Sequence, residues 1–282
     1  MTYQVKTLAD GFVYPEGPRW RDGNVWFADQ HDGVVYCLDI DGKTVDQFKV
    51  AGNPSGIGWL PGGDMLVVSM ENHQLLKRQG ADLHLVADLS EFHPGDSNDM
   101  VVDAQGRAYI GNIGFDFNAG DDICATTVVM VLPNGQVSVV ASDMICPNGT
   151  VITDDGKTLI IAESLANKLT AFDIADDGTL SGRRIYAAVE GHVPDGIALD
   201  VEGCVWAASP YTQSVIRIAE GGEIVDVVTI ENGSPYACAL GGDDRRTLYV
   251  CVAPDHAPEV TLKKRGGRID YTQVAVAGAG LP

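Results

Sequence analysis

Apolar and polar positions in this chain recur with a long period. Six times, a small residue or Pro is followed by one polar or small residue, often Gly, and then by an alternating apolar strand. The copies open at Pro15-Glu16-Gly17, Pro54-Ser55-Gly56, Ser97-Asn98-Asp99, Pro147-Asn148-Gly149, Pro194-Asp195-Gly196 and Pro235-Tyr236-Ala237. Each strand runs into a turn, such as Arg21-Asp22-Gly23-Asn24, Pro61-Gly62-Gly63-Asp64 or Asp154-Asp155-Gly156-Lys157. These Asp- and Gly-rich turns supply the positive φ angles of tight hairpins. A second strand rich in β-branched and aromatic residues comes next, and further strands such as 34–39 and 127–132 complete each unit.

A repeat of about 40 to 50 residues built only of strands fits a four-stranded propeller blade. The pattern therefore predicts an all-β protein, a six-bladed β-propeller of four-stranded antiparallel blades, occupying 1–282 as a single domain. No segment carries a helical period and no low-complexity linker divides the chain. The sixth copy lacks outer strands until 267–276, which is predicted to pair beside the N-terminal strand 3–7. Joining the two ends removes the exposed sheet edge that would otherwise recruit other chains.

Composition narrows the partners. Apolar residues make up 45% of the chain, enough for a large core, and the formal charge is −20. That charge excludes nucleic acid and anionic membrane surfaces, both of which require clustered Lys and Arg. The only basic knot, Lys263-Lys264-Arg265, reads as a solvated turn in a Gly-rich loop. No basic stretch followed by an apolar run opens the chain, and the apolar runs are too short to span a bilayer, so the expected location is cytoplasmic. The six cysteines (Cys37, Cys124, Cys146, Cys204, Cys238 and Cys251) form no Cys-x-x-Cys pair, and most are expected to be reduced and buried. Cys146, two residues before Asn148, is placed to approach the site described next.

The first strand of a propeller blade lines the central channel, so one phase of the repeat forms a ring around the axis. Here that ring reads Glu16, Ser55, Asn98, Asn148, Asp195 and Tyr236, of which four carry carboxylate or amide oxygens. Two carboxylates facing across a narrow channel repel, and leaving them buried without compensation costs several kcal/mol. No Lys or Arg shares their phase, which leaves a bound cation, a shared proton or solvent to offset them. Oxygen donors suit hard cations such as Ca²⁺, Mg²⁺ or Mn²⁺, with Zn²⁺ and Fe²⁺ also open. Tyr236 is the one large residue of the ring, so an open pocket is expected.

With these residues in hand, the sequence resembles, over nearly its full length, the senescence marker protein, regucalcin and gluconolactonase group of calcium-type lactonases. The resemblance rests on Tyr14-Pro15-Glu16-Gly17-Pro18 with Trp20, Ser97-Asn98-Asp99 with Gly106-Arg107, Pro147-Asn148-Gly149 and Pro194-Asp195-Gly196, in this order and phase. It implies one divalent metal ion, Ca²⁺ first, on Glu16, Asn148 and Asp195, with Asn98 beside it contacting substrate or its waters. It further implies hydrolysis of a lactone, with the metal polarising the carbonyl and activating water, and Asp195 as the base that takes the water's proton. Sugar-lactone members carry an Arg two residues before the Asn. Here that position is Asp96, an acceptor in place of a five-donor cation, so the substrate is expected to differ.

The loop 113–122 joins second and third strands on the same face, where Phe115 and Phe117 are candidates for an apolar substrate wall. His31, His73, His192 and His256 also lie in segments that reach this face. Two rivals share the architecture: another metal-assisted reaction, such as ester or enol-lactone hydrolysis or a lyase or isomerase step, and a calcium-binding propeller without turnover. No Gly-x-Ser-x-Gly elbow supports a seryl hydrolase. The expected partner is a small molecule, and nothing in the sequence sets an oligomeric state.

Overall fold

The computed structural model describes residues 3–116 and 119–281. Its strands form six four-stranded antiparallel sheets, the blades of a β-propeller. The inner strands are Pro15–Arg21, Pro54–Trp59, Ser97–Val102, Pro147–Ile152, Ile197–Leu199 and Ser234–Gly241, and they define blades one to six. The ring closes as the repeat predicts. Blade six takes its outermost strand, Lys6–Phe12, from the chain start, paired antiparallel with Gly267–Gln273. This strand begins later than the predicted 3–7, because Tyr3 and Val5 pack instead against the apolar cluster between blades five and six.

The core is divided among the blade interfaces. Separate clusters of buried apolar side chains fill the seams between blades one and two, two and three, three and four, four and five, five and six, and six and one. Inner strands are buried almost throughout, whereas an outer strand such as Thr44–Lys49 is largely exposed. An inner strand is covered by both neighbouring blades and by the channel, so the alternation expected for it gives way to continuous burial.

The glycine that follows four of the six ring positions (Gly17, Gly56, Gly149 and Gly196) has a steric cause. A Cβ on Gly149 would stand 2.5 Å from the Asp195 carbonyl oxygen and the Ile197 amide nitrogen, one on Gly56 2.4 Å from the Met100 amide, and one on Gly196 2.3 Å from the Ala237 side chain. Adjacent inner strands therefore touch backbone to backbone near the axis. Strand pairing is irregular at the same place, between Glu16 and Arg19, Pro54 and Ile57, Ser97 and Met100, Pro147 and Thr150, and Pro235 and Ala237. Bulges of this kind re-aim side chains, here those of the ring positions.

Two features depart from the sequence reading. Residues Pro258–Lys264 form a short α-helix rather than part of a loop, closed by Arg265 at φ 42°. Seven residues are too few to show a helical period, although Pro258 in the first turn is a start signal. Arg265 is not simply solvated: it donates to both Asp32 carboxylate oxygens, at 3.0 and 2.9 Å. The predicted final strand ends at Gln273, and the tail beyond it bonds to Val201, Leu199 and Ile152, the last two at the far ends of inner strands five and four. All six cysteines are free, five of them buried, and Cys124 is exposed. Among the described residues no helix is long and apolar enough to cross a membrane.

Gly149→Ala is expected to lower unfolding stability by about 1–3 kcal/mol through backbone overpacking. Gly62→Ala, with nothing near its Cβ, serves as the control. Urea denaturation of both variants checks the difference; equal midpoints would contradict the close approach.

Candidate functional site

The starts of the inner strands converge on a cavity of about 420 Å³ at one end of the channel. Asn98, Asn148, Asp195 and Tyr236 line it, together with Asp96 and Cys146. Glu16 and Ser55 are buried and lie outside the lining. Ser55 Oγ donates to the Asn98 carbonyl at 2.8 Å and so fixes the backbone of a neighbouring ring position.

Two carboxylates dominate the electrostatics. Burial raises the Glu16 carboxyl well above the usual range, and the Asp195 charge adds to the rise. One oxygen of Glu16 accepts the Gly17 amide at 2.7 Å, which opposes it. Burial pushes Asp195 up to about 8, while the Asn148 side chain pulls the other way and the Asp99 charge adds to the rise. Asp195 as a whole is partly open to the cavity, yet its Oδ1 is sealed and has no hydrogen-bond partner. An unsatisfied anionic oxygen next to a second buried carboxylate is a costly arrangement for the protein alone.

A buried cation does lie near this layer. Arg19, on the inner strand of blade one, donates to Asp99 at 2.6 Å and to the carbonyls of Met100, Ile57 and Pro18 at 2.8, 3.1 and 3.0 Å. Its charge is matched by Asp99, and its donors tie together blades one, two and three. Arg19 sits three residues past Glu16, beyond the bulge, which is why the ring phase did not reveal it. The carboxylate excess therefore stays on Glu16 and Asp195. These two and the Asn148 amide are a hard, anionic oxygen set that fits a divalent cation. Among the described residues no group of three or more His, Cys, Asp or Glu side chains is placed to hold a metal, so any ion here depends on the amide.

The histidines divide. His31 lines the cavity, stacks on Tyr14 at 4.5 Å between centroids, and meets Thr261 Oγ1 at 2.7 Å; burial, then His256, lowers it to about 4. His256 also lines the cavity and lies 3.6 Å from Asp255. His73 and His192 fall outside the lining: His73 is 3.9 Å from Asp96, and His192 contacts Ser209 and Thr212 at 3.2 and 3.1 Å. Burial raises the Cys146 thiol to about 12, so it stays protonated. Phe115 is buried outside the lining, where Ile113 stands instead, and Phe117 lies outside the described residues.

Tyr14, Gln30, Glu71, Ser164 and Tyr211 line the cavity and were not named as site residues from the sequence, although Tyr14 opens one of its motifs. All but Tyr14 sit in the turns between second and third strands, which end in left-handed residues at Gly33, His73, Asn167 and Gln213. Those turn ends are four different residue types, so the sequence marked these residues only by their place between the second and third strands.

The fold and its floor of buried oxygen donors define a propeller with a small-molecule pocket at the mouth of its channel. The chain belongs to the SMP-30/gluconolactonase/LRE-like family, whose model matches residues 14–254. It is 26% identical to a 6-deoxy-6-sulfogluconolactonase of Pseudomonas putida, over 96% of this chain and 94% of that protein. It is 27% identical to regucalcin of Xenopus laevis, with the same coverage of 96% and 94%. Among solved structures, a calcium-binding protein, regucalcin from Agrobacterium tumefaciens, superposes with a TM-score of 0.85 at 21% identity, over 100% of this chain and 97% of that one.

Arg19→Met would leave Asp99 buried without its cation and is expected to cost about 3–5 kcal/mol in urea denaturation. A loss below 1 kcal/mol would show the pair to be dispensable. The raised carboxyls also set a pH dependence. In metal-free protein, native Asp195 and Glu16 hold protons that the unfolded chain releases near pH 4. Their contribution is complete below that pH and is lost as pH rises through about 8, the Asp195 value. The Tm is therefore expected to fall between pH 5 and 8.5, with a shallower slope in Asp195→Asn; identical slopes would contradict the assignment.

Proposed function

We propose that this protein hydrolyses a lactone, with one divalent cation held by Glu16, Asn148 and Asp195. The observation that carries the reading is the sealed, unpartnered Oδ1 of Asp195 beside a second buried carboxylate at the cavity floor. Family membership and the sulfogluconolactonase relative support a cyclic ester as substrate. The calcium-binding regucalcin structure supports Ca²⁺ as the first ion to test, before Zn²⁺, Mn²⁺, Mg²⁺ and Fe²⁺.

When bound, such an ion supplies Lewis-acid polarisation of the carbonyl and a water of lowered pKa. Asp195 takes a proton from the attacking water as its oxygen bonds to the carbonyl carbon. The ring C–O bond then breaks, and the proton passes from Asp195 to the departing alkoxide, leaving a hydroxy acid. Asn98 and Asp96 orient the substrate's polar groups. Tyr236, tilted against Tyr14 at 4.8 Å, is kept protonated by burial and offers a phenol donor at the mouth. Ile113, which lines the cavity in place of the buried Phe115, is the proposed apolar contribution of the loop after blade three's second strand. Because the site draws on inner strands all round the ring, residues 1–282 are assigned to one domain. The free thiols suit the cytoplasm, the compartment we assign.

A panel of sugar, aliphatic and aromatic lactones, assayed with and without chelator, tests this reading. Chelation is expected to abolish turnover and added divalent ion to restore it. Asp195→Asn is expected to lower kcat by about 10²–10⁴ and to weaken ion binding in calorimetry. Near-normal turnover in that variant would remove Asp195 from the mechanism.

A further inference from the structure

The wall of the cavity above the floor has a charge pattern that the floor does not require. Glu71 and Asp96 stand on the side formed by blades two and three, and Asp255 stands on blade six. No Lys or Arg lines the cavity among the described residues. His31 is held neutral by burial and by the nearby His256, so it contributes no compensating charge near neutral pH. A divalent ion on Glu16 and Asp195 would cancel the floor's two charges and leave these three wall carboxylates in place.

The wall acids are held ready to accept. Asn53 Nδ2 donates to one oxygen of Glu71 at 2.9 Å, fixing the carboxylate while leaving acceptor capacity free. The Asp96 backbone is pinned through its carbonyl, which accepts the Ile113 amide at 2.9 Å. Asp255 accepts the amides of His256 and Ala257 at 2.8 and 3.0 Å, which keeps it ionised. Across from blades two and three the surface changes character: Leu165, Val193, Pro210 and Tyr211 form an apolar side from blades four and five, and Tyr211 is 71% exposed.

We propose that this pocket takes an uncharged or cationic lactone, with hydroxyl or ammonium donors on Glu71 and Asp96 and an apolar body against Leu165, Val193 and Tyr211, and that it rejects lactones bearing a carboxylate, sulfonate or phosphate. The proposal rests on the lactone reading for the chemistry but not for the charge selection. An added anion meets three like charges with no Lys or Arg among the described lining residues to neutralise it, and such repulsion biases the choice between substrates. A donor-bearing group meets acceptors that would otherwise face water.

The test uses three lactones with one ring and one alkyl body, differing in a hydroxymethyl, aminomethyl or carboxylate substituent, and the three matching lactams as unreactive ligands. The metal-loaded protein is expected to turn over the carboxylate form at least about tenfold less efficiently than the other two in kcat/KM. The lactams should bind in the same order in calorimetry, with a gap that narrows as salt is raised. In the double variant Glu71→Gln, Asp96→Asn the discrimination should shrink several-fold. Carboxylate forms that react or bind as well as the neutral ones would overturn the proposal. Lactams ranked as expected while every lactone stays intact would instead sink the hydrolytic reading and leave the charge selection standing.

Discussion

Contact between backbones around the channel axis is the constraint on which the rest of the structure depends. Six inner strands reach the axis together, and at Gly56, Gly149 and Gly196 neighbouring chains come so near that no Cβ fits. That closeness brings residues far apart in sequence to one channel mouth. It also excludes water from the floor, which is what lifts the Glu16 and Asp195 carboxyls. The same packing produces both the fold and the unusual chemistry of its centre.

Charge in this centre is layered. The Arg19–Asp99 pair, with Arg19 donating to three carbonyls, is a satisfied structural unit that fastens blades one to three. Glu16 and Asp195 lie close by without an equivalent partner. Had Arg19 been directed at Glu16, it would have offset one of the two floor carboxylates and left Asp195 alone to attract a cation. Because Asp99 takes up that guanidinium, Glu16 and Asp195 are left without a cation from the protein, and the wall acids extend the acidic surface toward solvent.

The rim follows from the blade connections. Blades one, two, four and five turn sharply between second and third strands, ending in left-handed residues, and these turns contribute Gln30, Glu71, Ser164 and Tyr211 to the cavity. Blades three and six carry longer connections, 113–125 and 254–266. The second of these holds the short helix, which docks on the turn of blade one through Thr261 with His31 and Arg265 with Asp32.

The sequence by itself determined the blade count, the strand periodicity, the closure of the ring by its two ends, and the phase that sets Glu16, Asn98, Asn148, Asp195 and Tyr236 at the channel. These are repeating properties, and repetition is visible in a linear string because every copy meets the same packing demand. The tertiary structure alone decided which charges are compensated, that Arg19 answers Asp99, that Asp195 Oδ1 has no partner, and that Phe115 turns inward while Ile113 faces the cavity. The short helix belongs in the same group, since its contacts are with a blade more than 200 residues away in sequence. Such pairings depend on side-chain direction after each bulge and on neighbours distant along the chain, which no local pattern records.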